Sequence, residues 1–328
     1  GIPLYMELGL DPGIDHMSAM NVINKIKDDG NELTSFYSFT GGLVAPDSDN
    51  NPWNYKFTWN PRNVVMAGNG VSQFIKNGRY KYIPYHRLFD RAFNRKILGY
   101  GDFEVYANRD SLKYRSIYDL KDIPSMFRGT IRRPGFSKAW NVFVRLGMTE
   151  DNYTLESSEN MTYRQFLNSF LRYEPNVPAE IKLQEYCSNA SDPVVMEKLK
   201  WLGIFDERKI GLKNATPAQI LQQLLEERWS MDPQDKDMIV MQHEFKYLTD
   251  GVEKMIVSAM AVIGKNQTET AMAITVGLPL AIATKLLMLG KFNHTGVILP
   301  TEKQMYEPIL DELSTFGITF EENEYLIG

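Results

Sequence analysis

Cysteine is almost missing from this sequence: Cys187 is the only one in 328 residues. With one thiol no internal disulfide can form, and the cytoplasm is the expected compartment. Histidine is scarce too. The four, at 16, 86, 243 and 294, are scattered, and with a lone cysteine they make no zinc pattern, so no metal site is expected. The glycines never spell G-x-G-x-x-G: Gly68-Asn69-Gly70 and Gly99-Tyr100-Gly101 lack the third glycine, and Gly264-Lys265-Asn266 lacks the setting of a phosphate loop. No G-x-S-x-G nucleophile elbow occurs either. Positive charge is not in excess. A formal net charge of −5 gives no reason to expect nucleic acid or an anionic membrane as partner. Finally, the charge-free run from Ala271 to Thr284 falls short of the roughly 20 residues a membrane span needs, and Pro279 interrupts it. A buried core helix is expected there.

What is present fits an ordinary soluble globular protein, with 43% hydrophobic and 23% charged residues, and the length suggests two or three structural units. The amino end reads as a strand, the turn Asp11-Pro12-Gly13, and a helix over 16–27 capped by Asp15. Strands are expected over 33–39, 55–59, 80–85, 103–107 and 126–131, with a helix over 62–73 among them. From residue 137 helical spacing takes over, with starts signalled by Ser137, Asp192 and Thr216. Two strands then return around Thr249-Asp250-Gly251, a hairpin signal. Helix, strand, helix and strand close the chain. The pattern is α/β, an open mixed sheet with a helical insertion.

Three constellations carry chemistry. The first is Gly9-Leu10-Asp11-Pro12-Gly13-Ile14-Asp15-His16, a carboxylate and free N–H groups between a strand and a helix, where open α/β sheets bind ligands. It reads equally as a tight turn with a helix cap. The second is Asn108-Arg109-Asp110-Ser111. The third is Gly129-Thr130-Ile131-Arg132-Arg133. Guanidinium forks at strand ends suit carboxylates; taken alone they also suit solvated ion pairs. The aromatic run Trp53 to Trp59 offers an apolar wall or simply core. His243 is a lesser acid–base candidate.

These segments, with Gly41-Gly42-Leu43, Tyr55-Lys56-Phe57-Thr58-Trp59, Arg128-Gly129-Thr130-Ile131-Arg132, Leu199-Lys200-Trp201-Leu202-Gly203-Ile204-Phe205 and Asp237 to His243, occur in an order that resembles the family of NADP-dependent, glutamate-forming saccharopine dehydrogenases. The likeness spans nearly the whole chain.

The resemblance implies a dinucleotide-binding domain of which residues 1–15 and 262–328 are a remnant. It also implies a mixed-sheet substrate and dimerisation domain over 16–148 and 234–261, and a helical insertion over 149–233. The preceding Rossmann segment has no counterpart here, so these residues alone are expected to be inactive and to hold only part of the NADP(H) site. Leu10, Asp11, Pro12 and Trp59 would lie by the cofactor, with Asp11 catalytic. Arg109, Thr130, Ile131 and Arg132 would contact saccharopine. Thr40 stands where relatives often carry cysteine.

The implied reaction joins 2-aminoadipate 6-semialdehyde and glutamate as an imine and reduces it to saccharopine, a small-molecule reaction in a homodimer. Two alternatives stand beside it: a carboxynorspermidine dehydrogenase-like reductase and a non-catalytic assembly domain. The enzyme reading requires Asp11, Arg109 and Arg132 to converge on one concave surface.

Overall fold

The computed structural model describes residues 1–327. Strand β1 (Pro3–Tyr5) leads through a turn into helix α1 (Ile14–Asp28). Then come β2 (Glu32–Val44), α2 (Pro61–Val65), β3 (Val71–Lys76), β4 (Arg79–Pro84), α3 (Tyr85–Leu88), β5 (Phe93–Ile97), β6 (Gly101–Ala107), α4 (Tyr114–Ile117) and β7 (Ser125–Arg132). Five helices follow: α5 (Phe136–Leu146), α6 (Tyr163–Asn168), α7 (Ala179–Tyr186), α8 (Pro193–Leu202) and α9 (Pro217–Trp229). The hairpin β8 (Asp237–Thr249) and β9 (Val252–Ile263) precedes α10 (Ala271–Met288), β10 (Gly296–Ile298), α11 (Lys303–Thr315) and β11 (Glu321–Leu326).

Nine strands form one mixed sheet along the path β11-β9-β8-β2-β7-β3-β4, with β6 also on β7 and β5 on β6. Only β2 and β7 pair in parallel within it. Side chains alternate between its faces. On one face Phe36, Met126, Met241 and Phe245 pack with α1, α10 and α11. On the other, Phe39, Leu43, Val105, Phe127 and Val240 share a core with the helices α5 to α9. Separately, β1 and β10 make a two-stranded parallel sheet.

Local chemistry explains most boundaries. Thr162 and Thr216 each close a capping box with Gln165 and Gln219, and Asp192 caps α8, satisfying N–H groups that would otherwise lack partners. Asp250 and Gly251 both have positive φ, which matches the twist of the β8–β9 hairpin.

Four sequence expectations need correction. Residues 55–59 are not a strand: Trp53, Tyr55 and Phe57 turn inward to pack on Trp229, and aromatic packing overrides strand propensity. The helix expected over 62–73 ends at Val65, and β3 begins at Val71, beyond the turn at Gly68 and Gly70. Asp15 and Ser137 sit inside α1 and α5, not at their caps, which are Gly13 and Gly135. Helix α10 is apolar and long enough, by length and composition, to cross a membrane, yet it is not a fully buried core helix. It buries Thr275, Ile282 and Leu286 but leaves Val276, Leu280 and Met288 exposed. Strand β5 was not foreseen.

Close packing at the centre of β7 yields a test. A Cβ on Gly129 would stand 2.3 Å from Val105 Cγ1 and 2.8 Å from Phe127 Cε1. Gly129→Ala is expected to destabilise the fold by about 1–3 kcal/mol through overpacking, seen as a lower denaturant midpoint. An unchanged midpoint contradicts that packing.

Candidate active site

The turn before α1 is fixed by its own backbone. Gly13 has φ 150°, and a Cβ there would meet the Gly9 carbonyl oxygen at 2.0 Å, so only glycine fits. Ile14 N–H donates to the Gly9 carbonyl at 2.9 Å and Asp15 N–H to the Leu10 carbonyl at 3.1 Å. Gly13 N–H donates to the Asp15 carboxylate at 2.6 Å. A second tie holds the approach to the turn: His16, fully buried, bonds Glu7 at 2.6 Å through Nε2 and the Tyr118 hydroxyl at 2.9 Å through Nδ1.

These ties set Asp11 against the sheet, where Arg128 meets it. The Arg128 guanidinium donates to Asp11 and, at 2.7 Å, to Asp15, and its central carbon lies 3.9 Å from the Tyr114 ring centre. Asp15 is 1% exposed and Asp11 18%, so Asp11 is the member of the cluster that faces outward. Burial pushes the Asp11 carboxyl above its ordinary range, Arg128 pulls it down, and Asp15 pushes it up again. Burial works against the Arg128 cation, but Asp11 and Asp15 outweigh it and hold its pKa above the usual value.

Strand alternation extends this face. Arg128, Thr130 and Arg132 share a side of β7, and Thr40 on β2 stands opposite Thr130. The Thr40 hydroxyl is oriented to Asp11 without closing a hydrogen bond; it is buried and unpartnered. Arg132 is 3% exposed, and among the described residues no carboxylate pairs with it. Its Nη1 donates to the Ile131 carbonyl at 2.8 Å, while Nε is buried without a partner. Glu104, its neighbour across β6, is committed elsewhere, accepting from Gly135 N–H at 3.0 Å and from Ser137 N–H at the start of α5. Three aromatic rings surround the guanidinium: Tyr55 at 5.1 Å, Phe136 at 5.4 Å and Tyr106 at 5.8 Å. The hydroxyls of Tyr55 and Thr58 are also buried and unpartnered. Trp59, half exposed, lies by the Tyr55 hydroxyl.

The expected residues are thus sorted by geometry. Asp11, Thr130 and Arg132 lie along one face, with Trp59 at its margin. Pro12 is half-buried at the turn, joined to Asp11 by a cis peptide bond. Leu10 points into the core with α1 and lends only backbone. Ile131 is fully buried, its side chain in the core that also holds Tyr55, Tyr106 and Phe136. Arg109 shares no ion pair with Asp11, although the N–H of Asn108 just before it donates to the Arg128 carbonyl at 2.8 Å. Arg109 takes a φ of 41° and is exposed, its carbonyl accepting from Gln73 N–H at 2.8 Å. Its guanidinium joins neither Asp11 nor Arg132; Arg128 is the cation at Asp11. Arg128 was missed although its signal was present, since spacing of four along a strand places it on the side of Arg132.

His243 is fully buried and bonds the Ser18 hydroxyl at 2.8 Å. Burial lowers its pKa to about 3, with Asp11 opposing that shift, so it is neutral at working pH. It stands in a polar row across four strands, Ser258, His243, Ser38 and Arg128, in register. Two clefts elsewhere do not touch this face. One lies by Lys25 and Glu322, the other on the opposite side of the sheet by Tyr37, Arg95 and Lys246.

A nine-stranded mixed sheet flanked by helices, with a carboxylate at a strand–helix turn and a buried guanidinium that no carboxylate pairs among the described residues, defines the class as an α/β domain. The comparisons sharpen this. The family model for the saccharopine dehydrogenase C-terminal domain matches residues 9–318, and the chain belongs to that family. The mitochondrial alpha-aminoadipic semialdehyde synthase of Rattus norvegicus is 34% identical over 328 residues, covering 98% of this chain and 35% of that protein. The NADP(+), L-glutamate-forming saccharopine dehydrogenase of Saccharomyces cerevisiae is 31% identical, covering 98% of this chain and 74% of that protein. A solved apo structure of the histidine-tagged L-Glu-forming saccharopine dehydrogenase from that yeast superposes with a TM-score of 0.89 at 30% identity, over 99% of this chain and 74% of that one. The chain therefore spans about a third of the rat synthase's length and about three quarters of the yeast dehydrogenase's.

The ion cluster makes opposite predictions for its members. Asp11→Asn removes one of two buried carboxylates and leaves the Arg128–Asp15 pair, so the melting temperature is expected to hold or rise. Arg128→Met leaves two buried carboxylates together and is expected to cost about 3–5 kcal/mol. Equal destabilisation by both rules out this charge balance.

The pH dependence of His243 has a definite sign. Its folded pKa lies below its unfolded value near 6.5, so the unfolded chain binds the extra proton. Stability is complete above about pH 6.5 and falls as pH drops towards 3, by about 1.4 kcal/mol per unit from this group. Urea titrations of the wild type and His243→Gln should differ by that slope; parallel curves refute it.

Proposed function

We propose that this chain carries the substrate side of an NADPH-dependent oxidoreductase acting on the imine of 2-aminoadipate 6-semialdehyde and L-glutamate, with saccharopine as product and the reaction reversible. One observation carries the reading. Arg132 is a guanidinium buried with no carboxylate partner, a state that costs several kcal/mol unless an anion completes it. Saccharopine brings three carboxylates. The relatives named for saccharopine and aminoadipic semialdehyde share this scaffold.

Asp11 is the outward carboxylate of its cluster, suited to stabilise a cationic imine nitrogen and to exchange a proton with it. Arg128 holds it in place. Arg132, with Thr130 beside it on β7, orients a substrate carboxylate, and Arg109, exposed and unpaired among the described residues, is available for another. When bound, NADPH supplies the hydride. The residues present fit its nicotinamide end only. Asp11, Pro12 and Trp59 border the face, and Val276 of α10, 3.7 Å from the Cβ position of Gly9, adds an exposed apolar wall. No glycine-rich phosphate cradle occurs in these residues, and by themselves they are expected to lack turnover.

The open parallel pair β1–β10, with Ile2, Leu4, Met6 and Val297 exposed, supports assigning 1–15 and 262–328 to a dinucleotide-binding domain. The large sheet, drawn mainly from 16–148 and 234–261 but carrying β11 of the carboxyl end on its edge, then serves as substrate and dimerisation domain, with 149–233 as its insertion. Exposed Tyr80, Tyr82 and Phe93 on β4 and β5 suit a homodimer contact. A reducing compartment fits the single buried thiol, and the rat relative's name adds the mitochondrion to the cytoplasm as a candidate. A polyamine-type substrate would favour free acidic groups at the site, whereas Asp11 and Asp15 are both bound to Arg128. A non-catalytic scaffold would have no use for a buried unpaired guanidinium.

In the full-length protein, NADP-dependent oxidation of saccharopine is expected, and Arg132→Met should lower kcat/KM roughly 100-fold or more. Turnover of carboxylated polyamines in place of saccharopine would sink the reading.

A further inference from the structure

Tyr55 is left without a task by everything described so far. Its side chain is fully buried, yet its hydroxyl has no hydrogen-bond partner. Buried phenols normally find one, because an unpaired polar group forfeits its hydration without return. The ring itself is well used. It meets Trp229 at 5.0 Å, Phe136 at 5.3 Å and Phe57 at 6.2 Å, mostly edge-on. A phenylalanine would make those contacts equally well, so packing does not call for the oxygen.

The surroundings of that oxygen are informative. Arg132 stands over the ring at 5.1 Å, with its own Nε buried and unpartnered. The Trp59 indole, itself a donor and not an acceptor, lies by the hydroxyl. Among the described residues no protein acceptor answers either the phenol or Nε. Two buried donors, one charged and one neutral, thus belong to side chains in contact, and neither has an acceptor among the described residues. An anion with two acceptor oxygens, a carboxylate, completes both at once.

We propose that the Tyr55 hydroxyl is the second donor to the substrate carboxylate that Arg132 neutralises, and that it makes this station specific for a carboxylate over its amide. The inference rests on the substrate reading above. It adds a neutral donor whose removal changes recognition but not charge. An O–H aimed at a carboxylate oxygen loses its value when that oxygen becomes part of a neutral amide, because the charge-assisted bond becomes an ordinary one.

The test is Tyr55→Phe in the full-length protein, with saccharopine as ligand. KM and the calorimetric Kd should rise about 10- to 100-fold, kcat should stay within about threefold, and the melting temperature should hold or increase, since an unpaired buried hydroxyl has been removed. The three monoamides of saccharopine give a readout that a structural role would not move. For one of them the Tyr55→Phe penalty should disappear, and for the other two it should persist. Unchanged affinity, a loss of affinity that follows a fall in melting temperature, or an equal penalty on all three monoamides overturns the inference. Arg132→Met, measured alongside, separates the two levels. If it abolishes binding while Tyr55→Phe does nothing, only the Tyr55 assignment fails. If neither changes binding, the reading of the site fails with it.

Discussion

Arg128 rises from the middle of a buried strand and binds two carboxylates that belong to another element, Asp11 in the turn and Asp15 in the first turn of α1. Neither partner is dispensable to the geometry. Without Arg128, two carboxylates would face each other in a poorly solvated space, and without the carboxylates a guanidinium would be stranded beneath a helix. The cluster therefore fixes where α1 meets the sheet, and with it where Asp11 points. His16, held between Glu7 and Tyr118, and Ser18, bonded to His243, clamp the same helix further along. The outward position of Asp11 results from these three ties.

The second charged centre on the face is built on the opposite logic. Arg128 is compensated and structural in its effect; Arg132, four residues on, is enclosed by rings and left with its charge unanswered. Glu104 lies across from it but is drawn away to the N–H groups at the start of α5. The fold thus places the nearest carboxylate at a helix terminus and leaves Arg132 without one among the described residues. In the proposed reading, one arginine positions the carboxylate of the protein and the other binds a carboxylate of the substrate.

Much of this was legible from residue order. The caps at Asp192 and Thr216, the Asp250-Gly251 hairpin and the helix bounds at Pro193 and Pro217 follow from local chemistry, which needs no tertiary partner. Asp11 and Arg132 were legible as charged groups in ligand-suited places. Arg109 and Ile131 were read with them from the same segments. Ile131 is fully buried next to Arg132 on β7, in the core that also holds Tyr55, Tyr106 and Phe136. Arg109 sits at a turn whose backbone is bonded to β3, which leaves its side chain in solvent.

What the sequence decided alone was composition and part of the local form: one thiol, a modest negative charge, the absence of a phosphate-loop glycine pattern, the β8–β9 hairpin and the caps at Asp192 and Thr216. Such features depend on neighbours a few residues away. What only the tertiary structure decided was pairing. Which arginine meets Asp11, which one is left unpaired, and which hydroxyls are buried without partners depend on strands brought into register from positions more than a hundred residues apart, and charge compensation in a low-dielectric interior is settled by that proximity.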